Sequence, residues 1–277
     1  MPPVTPLLAA IIFAAGAVSG GFGALLGIGG GVLLVPFLNL VLHLPFPVAA
    51  AISLTTVIAT SSSVSAARAG KQLINMRLGM LLEVATAAGS LFGGVTAQML
   101  AQSTVQKVFG VVTAVVAVIM LTRLQRRNVI LDPDIDPGPL GGRYHEEESG
   151  GMVTYRVKRL PLALAASFVA GNMSSLLGIG GGFIKVPVLN AWCGIPVRAA
   201  AATSAFMIGV TATAGAVIYY GTGQLIPALA ASAVLGVQLG SWGGMRFGQR
   251  ASAMWLKLLM AVVLFVVSAV MFTRGIR

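Results

Sequence analysis

Apolar residues run in blocks of membrane-spanning length along nearly the whole chain. A bilayer core about 30 Å thick needs roughly 17–25 apolar residues per helix. Runs of this kind occupy 7–26, 46–66, 78–101 and 105–122, and again 160–177, 197–220, 225–245 and 254–272. Two shorter runs, 32–42 and 183–193, each follow the first long run of their set. A polar stretch, 123–159, separates the sets. The pattern predicts an all-α protein with half-length pieces at the short runs. In the polar stretch, Asp132-Pro133 and residues 136–139 (Asp-Pro-Gly-Pro) are turn formers. Alternation in 152–157 permits a small surface hairpin, and a solvated tether describes the stretch equally well.

The two sets are copies. Leu26-Gly27-Ile28-Gly29-Gly30-Gly31 matches Leu177-Gly178-Ile179-Gly180-Gly181-Gly182, 151 residues later. At the same offset Pro36 falls on Pro187, Asn39 on Asn190, Pro45 on Pro196 and Ser53 on Ser204. The last runs end alike, at 120–123 (Met-Leu-Thr-Arg) and 271–274 (Met-Phe-Thr-Arg). The chain therefore divides into a first transmembrane repeat (1–122), a linker (123–159) and a second repeat (160–277), which is a transporter plan.

Composition agrees. Of 277 residues 57% are hydrophobic and 9% charged, with a mean hydropathy of +0.92. A soluble domain carries roughly 25% charged residues, so a soluble enzyme, a disordered chain and a nucleic-acid binder are all excluded by class. The partner of this surface is the lipid bilayer. The N-terminal run lacks a positive flank of the signal-peptide kind and is expected to persist in the mature chain. Cys193 stands alone and His43 and His145 are far apart, so no metal site and no cofactor is called for.

Charge location carries topology. Six of the seven acids lie in the linker with seven bases, which leaves a net +1 there and +10 elsewhere. The loop after the 46–66 run is basic (Arg68, Lys71, Arg77), while its counterpart at 219–224 is neutral. The next loop reverses this: 101–106 is nearly neutral, and Arg246, Arg250 and Lys257 follow the 225–245 run. Under the positive-inside rule equivalent loops then lie on opposite sides, which favours inverted repeats with 7–42 and 160–193 as broken or re-entrant segments. The N-terminus would lie outside and the linker in the cytoplasm. Arg274 and Arg277 would be external, against the rule, so a parallel four-plus-four arrangement stays open.

The glycine motifs carry the chemistry. Gly27, Gly29, Gly30 and Gly31, like Gly178, Gly180, Gly181 and Gly182, interrupt apolar segments. Backbone groups freed inside a membrane must be buried in protein or line a cavity. A helix restarting after the glycines offers N–H groups and a positive dipole end to an anion. Close helix packing is the simpler alternative for such glycines. Gly236, Gly240, Gly244 and Gly248, and also Gly89 and Gly93, are read as packing faces. Lys185 falls inside the second motif where the first has Leu34. A lysine at that depth costs roughly 2.5–3.5 kcal/mol, so it either snorkels to the interface or meets the charge of a transported anion. Asn39, Ser53, Asn190, Thr203 and Ser204, with Asn172 and Ser174, are the polar groups placed to complete such a site. Glu83 is the one acid in an apolar run, open to pairing with a base, to proton coupling, or to an interface position, which the nearness of Arg77 favours.

These residues resemble the TauE/SafE sulfite exporter family of bacterial and archaeal permeases. The second copy, residues 178–187 (GIGGGFIKVP), and Ala202-Thr203-Ser204 are especially similar, while Ile52-Ser53 departs from the Thr-Ser pair. The resemblance implies a multi-pass inner-membrane transporter of a small sulfur-containing anion such as sulfite, thiosulfate or a C2 sulfonate. The residues themselves give only a small anionic substrate and leave the oligomeric state unknown. Export of a monoanion is helped by about 2.3 kcal/mol per 100 mV of inside-negative potential and is expected to need no coupling ion. An importer or proton-coupled permease of a small carboxylate or sulfonate is the alternative, with Glu83 as coupling group. A cation transporter lacks carboxylates here, and a membrane-embedded enzyme lacks a nucleophile–base pair.

Overall fold

The computed structural model describes residues 5–26, 29–68, 72–122, 136–146, 151–248 and 253–276. The first half contains α1 (Pro6–Leu26), α2 (Gly31–Pro36), α3 (Phe46–Arg68), α4 (Met76–Met99) and α5 (Gln102–Thr122). The second contains α6 (Leu160–Leu177), α7 (Gly182–Ala191), α8 (Val197–Gly221), α9 (Pro227–Gly248) and α10 (Ala253–Ile276). Each begins and ends within a few residues of its apolar run. Among the described residues, five helices (α1, α3, α4, α6 and α8) are long and apolar enough to cross a membrane. Large apolar side chains such as Leu7, Val84, Met99, Val217, Leu235 and Trp242 stay exposed, as a lipid-facing surface requires.

Helix ends follow local chemistry. Asn75 caps α4, its side chain accepting the Leu78 N–H at 3.0 Å. Pro161 sits in the first turn of α6, where a missing N–H costs nothing, and α6 stops at Gly178 with φ +71°. Pro36 ends α2, and the chain continues as one π-type turn, Phe37–Val41, the wider helix accommodating the ring and the lost donor.

Glycine stripes draw the long helices together. A methyl group at Gly236, Gly240 or Gly244 would strike the backbone of Phe13, Ala17 or Gly21, so α9 runs beside α1 in the same direction. Gly89 and Gly93 press likewise on the backbone of Phe168 and Asn172, which sets α4 parallel to α6. The backbones meet because lipid supplies no hydrophobic drive between helices, and dispersion at close range takes its place. α8 turns over at residues 222–226, where the Gln224 N–H donates to the Tyr219 carbonyl at 3.0 Å, into α9. α3 and α8 cross at the centre, joined by Ser61 Oγ donating to the Ala205 carbonyl at 2.5 Å. α5 pairs with α10 through Ser268 Oγ and the Gly110 carbonyl, 2.6 Å apart.

Within the linker, β1 (Gly142–Glu146) and β2 (Gly151–Tyr155) form an antiparallel hairpin with Tyr144 opposite Val153. It is no solvated tether. Tyr144, Val153 and Tyr155 are buried in one apolar cluster with Leu78, Leu82, Ala163, Ile195 and Ala199. Asn75 Nδ2 donates to the Leu140 carbonyl at 2.8 Å and lies 3.2 Å from the Tyr155 hydroxyl. The Lys158 N–H donates to the Cys193 carbonyl at 2.9 Å. The hairpin thus caps one end of α4, α6, α7 and α8.

Candidate functional site

Each glycine motif is the bend of a long-helix, short-helix hairpin. Gly30 rests on the Ser19 carbonyl and Gly181 on the Ala170 carbonyl, where added methyl groups would come within 2.8 and 2.7 Å. The short helices therefore fold back along α1 and α6. Gly29 (φ +82°) and Gly180 (φ +76°), equivalent positions, both take the left-handed conformation that reverses the chain. Gly27 and Ile28 lie outside the described residues.

The two bends meet. A methyl group on Gly31 would come 2.5 Å from the Gly178 carbonyl oxygen and 2.6 Å from Ser53 Oγ. Ser53 Oγ donates to that same carbonyl at 2.6 Å. Val57 of α3 lies against both Gly29 and Gly180, and Ile208 of α8 against Gly180 and Gly182. Ser204, the repeat counterpart of Ser53, is fully buried beside Gly182, and its hydroxyl has no hydrogen-bond partner among the described residues. A void of about 10 Å³ lined by Gly23, Gly29, Thr60, Ser61, Val64, Ala205 and Ile208 lies alongside.

Lys185 is one turn along α7 from Gly181, against which its stem lies. It is 1% exposed, so it does not snorkel. Its Nζ donates to Thr211 Oγ1 at 3.2 Å and stands 3.9 Å from Glu83 Oε2. Thr211 in turn donates to Glu83 Oε1 at 2.8 Å, with the Met207 carbonyl at 3.0 Å as its other acceptor. Glu83 is therefore not at the interface beside Arg77. It is 7% exposed and paired with the lysine, because its position on α4 faces α8. Glu83 Oε2 has no hydrogen bond among the described residues. Burying two ions costs several kcal/mol each unless the pairing geometry is tight and fully hydrogen-bonded. This pair is loose and under-bonded, so stability alone does not account for it.

The other expected site residues separate from this centre. Asn39 Nδ2 donates to the Leu44 carbonyl at 2.8 Å and Asn190 Nδ2 to the Ile195 carbonyl at 2.9 Å. Each closes the loop after its short helix, and Asn39 also accepts from Gln106 at 2.9 Å. Thr203 Oγ1 accepts the Asn75 N–H at 3.0 Å, out at the start of α4. Asn172 packs its backbone on Gly93, and the Ser174 hydroxyl is buried without a partner among the described residues, near the Gly178 bend. Thr211 was not anticipated. It stands seven residues after Ser204, two turns along the same face of α8, which is the signal that points to it. Thr60 is its counterpart and bonds the Thr56 carbonyl at 2.8 Å, while Leu34 replaces the lysine. The charged cluster thus has no copy at the equivalent positions: it joins Glu83 of the first half to Lys185 and Thr211 of the second.

Comparisons with known proteins bear on the family of the chain. A family model described as sulfite exporter TauE/SafE matches residues 12–271. The chain is 24% identical to the probable membrane transporter protein YunE of Bacillus subtilis, over 96% of this chain and 98% of that protein. It is also 24% identical to a probable membrane transporter protein of the archaeon Methanocaldococcus jannaschii, over 96% of each chain. No solved structure matches. With paired glycine bends, apolar spanning helices and a match across nearly its whole length, the chain is a multi-pass membrane protein and belongs to the TauE/SafE sulfite exporter family.

Proposed function

We propose that this protein moves a small sulfur-containing anion, such as sulfite, thiosulfate or a C2 sulfonate, outward across the cell membrane by alternating access. The observation that carries the reading is the meeting of the two glycine bends where α3 crosses α8, beside one buried lysine. There the N-terminal N–H groups of α7, the Ser204 hydroxyl and Lys185 offer donors and positive charge to an anion. Loops broken at membrane depth persist only where they meet protein or a cavity, and a transporter places its site between repeats. The protein is a carrier rather than an enzyme.

The halves act as inverted repeats, with the linker in the cytoplasm. Packing directions support this: α4 parallel to α6 and α9 parallel to α1, while α8 runs beside α4 from Gly79–Thr203 to Gly94–Ile218 and then reverses into α9. Equivalent helices, α1 and α6 or α4 and α9, then point oppositely. Rocking one half against the other across the α3–α8 crossing would expose the bends to either side in turn.

Purified protein in liposomes, loaded in turn with sulfite, thiosulfate, sulfoacetate, sulfate and acetate, tests the function. Efflux of one or more of the sulfur anions, reduced at least about tenfold by Lys185→Ala, is the expected result; wild-type rates from that variant would remove Lys185 from the site.

A further inference from the structure

Lys185, the only buried cation among the described residues, already has an anion: the Glu83 carboxylate. The contact is incomplete on both sides. The ammonium has three donors, of which one is used on Thr211, and Glu83 Oε2 accepts no hydrogen bond among the described residues. Thr211 stands between them with a single hydroxyl proton and two acceptors in range, Glu83 Oε1 and the Met207 carbonyl.

We propose that Glu83 is an internal competitor for the substrate, so that an arriving anion takes its place at Lys185 while the freed carboxylate takes up one proton from water. The inference rests on the anion-transport reading above. In the empty carrier Lys185 is positive and Glu83 negative. In the loaded carrier Lys185 faces the anion and Glu83 is a neutral acid. Its new O–H donates to Thr211 Oγ1, whose own proton turns to the Met207 carbonyl. No bond other than the carboxyl O–H is made, and the proton is released to water when the anion leaves and Lys185 returns. Both forms of the site carry zero net charge. Each cycle therefore moves one anion and one proton in the same direction.

Among the described residues Lys185 is the carboxylate's one ion-pair partner; the hairpin, packed on Leu78 and Leu82, brings Tyr144 and Tyr155, and the Tyr155 hydroxyl bonds Asn75 at the start of α4. α6, packed on α4, contributes no titratable side chain. α8 contributes Arg198, Tyr219 and Tyr220, which lie near its ends, more than about 10 Å along the axis from Thr211. On α4 itself Arg77 is exposed, six residues away. A carboxylate released from Lys185 keeps no counter-charge in this apolar setting, and a proton restores neutrality. About a tenth of the Glu83 side chain is accessible and none of the lysine's, so the proton comes to Glu83.

On this proposal export is coupled to a proton, in place of the uncoupled export expected from the sequence. An electroneutral carrier gains nothing from the membrane potential; the anion and proton gradients together set its direction. Sulfite efflux from liposomes is to be measured with a lumenal pH dye, at zero potential and at an inside-negative potential set with potassium and valinomycin. The wild type is expected to change rate less than about twofold with potential, against roughly tenfold for a bare monoanion. Glu83→Gln is expected to export one proton fewer per anion and to become potential-driven. Wild-type efflux strongly accelerated by the potential would overturn the proposal even where the variant is inactive. A Glu83→Gln variant with unchanged proton stoichiometry would do so too. If no anion of the panel leaves at all, the transport reading itself fails and this one with it.

Discussion

At the scale of single residues, the charged pair and the central serines have separable effects. Lys185→Leu copies Leu34 but leaves Glu83 a buried, under-bonded acid, and is expected to cost about 1–3 kcal/mol at neutral pH. Lys185→Leu combined with Glu83→Leu removes both charges and is expected to recover most of that stability without recovering transport. Detergent melting temperatures beside liposome efflux check both halves of the prediction, and a double variant that still transports would refute it. Ser53→Ala leaves the Gly178 carbonyl without its 2.6 Å hydrogen bond and is expected to cost about 1–3 kcal/mol, measurable as a lower melting temperature. Glu83 and Lys185 were legible in the sequence as charged residues in apolar runs, and Ser204 as the repeat counterpart of Ser53. The bond from Lys185 through Thr211 to Glu83 was not, because α4 brings Glu83 to α7 and α8 from the other half of the chain, 128 residues before Thr211.

At the scale of elements, the glycines divide by what faces them. Gly240 lies against the Ala17 backbone, whereas a methyl group at Gly243 meets nothing within 4 Å. Gly240→Leu is expected to part α9 from α1 and leave little folded protein, while Gly243→Ala folds as the wild type; size-exclusion profiles after membrane extraction distinguish them. Gly178→Ala is worse placed than an ordinary substitution. Its φ of +71° disfavours a Cβ by roughly 1–2 kcal/mol, and the methyl would press on the backbone of Ala50. The periodic spacing of these glycines gave away their packing role. The asparagines show the opposite case: Asn39 and Asn190 share a repeat position as the bends do, yet their amides tie down the loops five residues onward.

At the scale of the whole molecule, the inverted arrangement makes a sharp statement about sidedness. Single cysteines in the loops at 68–77 and 246–257, on a Cys193→Ser background, are expected to label from the same face of the membrane. Labelling from opposite faces would sink the inverted plan. The hairpin adds a second check, because Cys193 is buried in the cluster beneath it. Asn75→Ala removes the amide that holds Leu140 and Tyr155 and is expected to speed thiol labelling of Cys193 several-fold. An unchanged rate would mean that the apolar contacts of Tyr144 and Val153 hold the hairpin alone.

The amino-acid pattern by itself determined the membrane setting, the duplicated order of long and short helices, and the glycine breaks. Each is written in residues close together in the chain: apolar run length, the 151-residue offset, Gly and Pro where helices cannot continue. Tertiary structure alone decided which surfaces meet. It set the Gly31 bend against the Gly178 carbonyl, docked the linker hairpin by burying Tyr144 and Tyr155, and moved Glu83 from an expected interface to Lys185. A charge's partner depends on helix rotation and packing, and small-residue contacts between distant segments fix those.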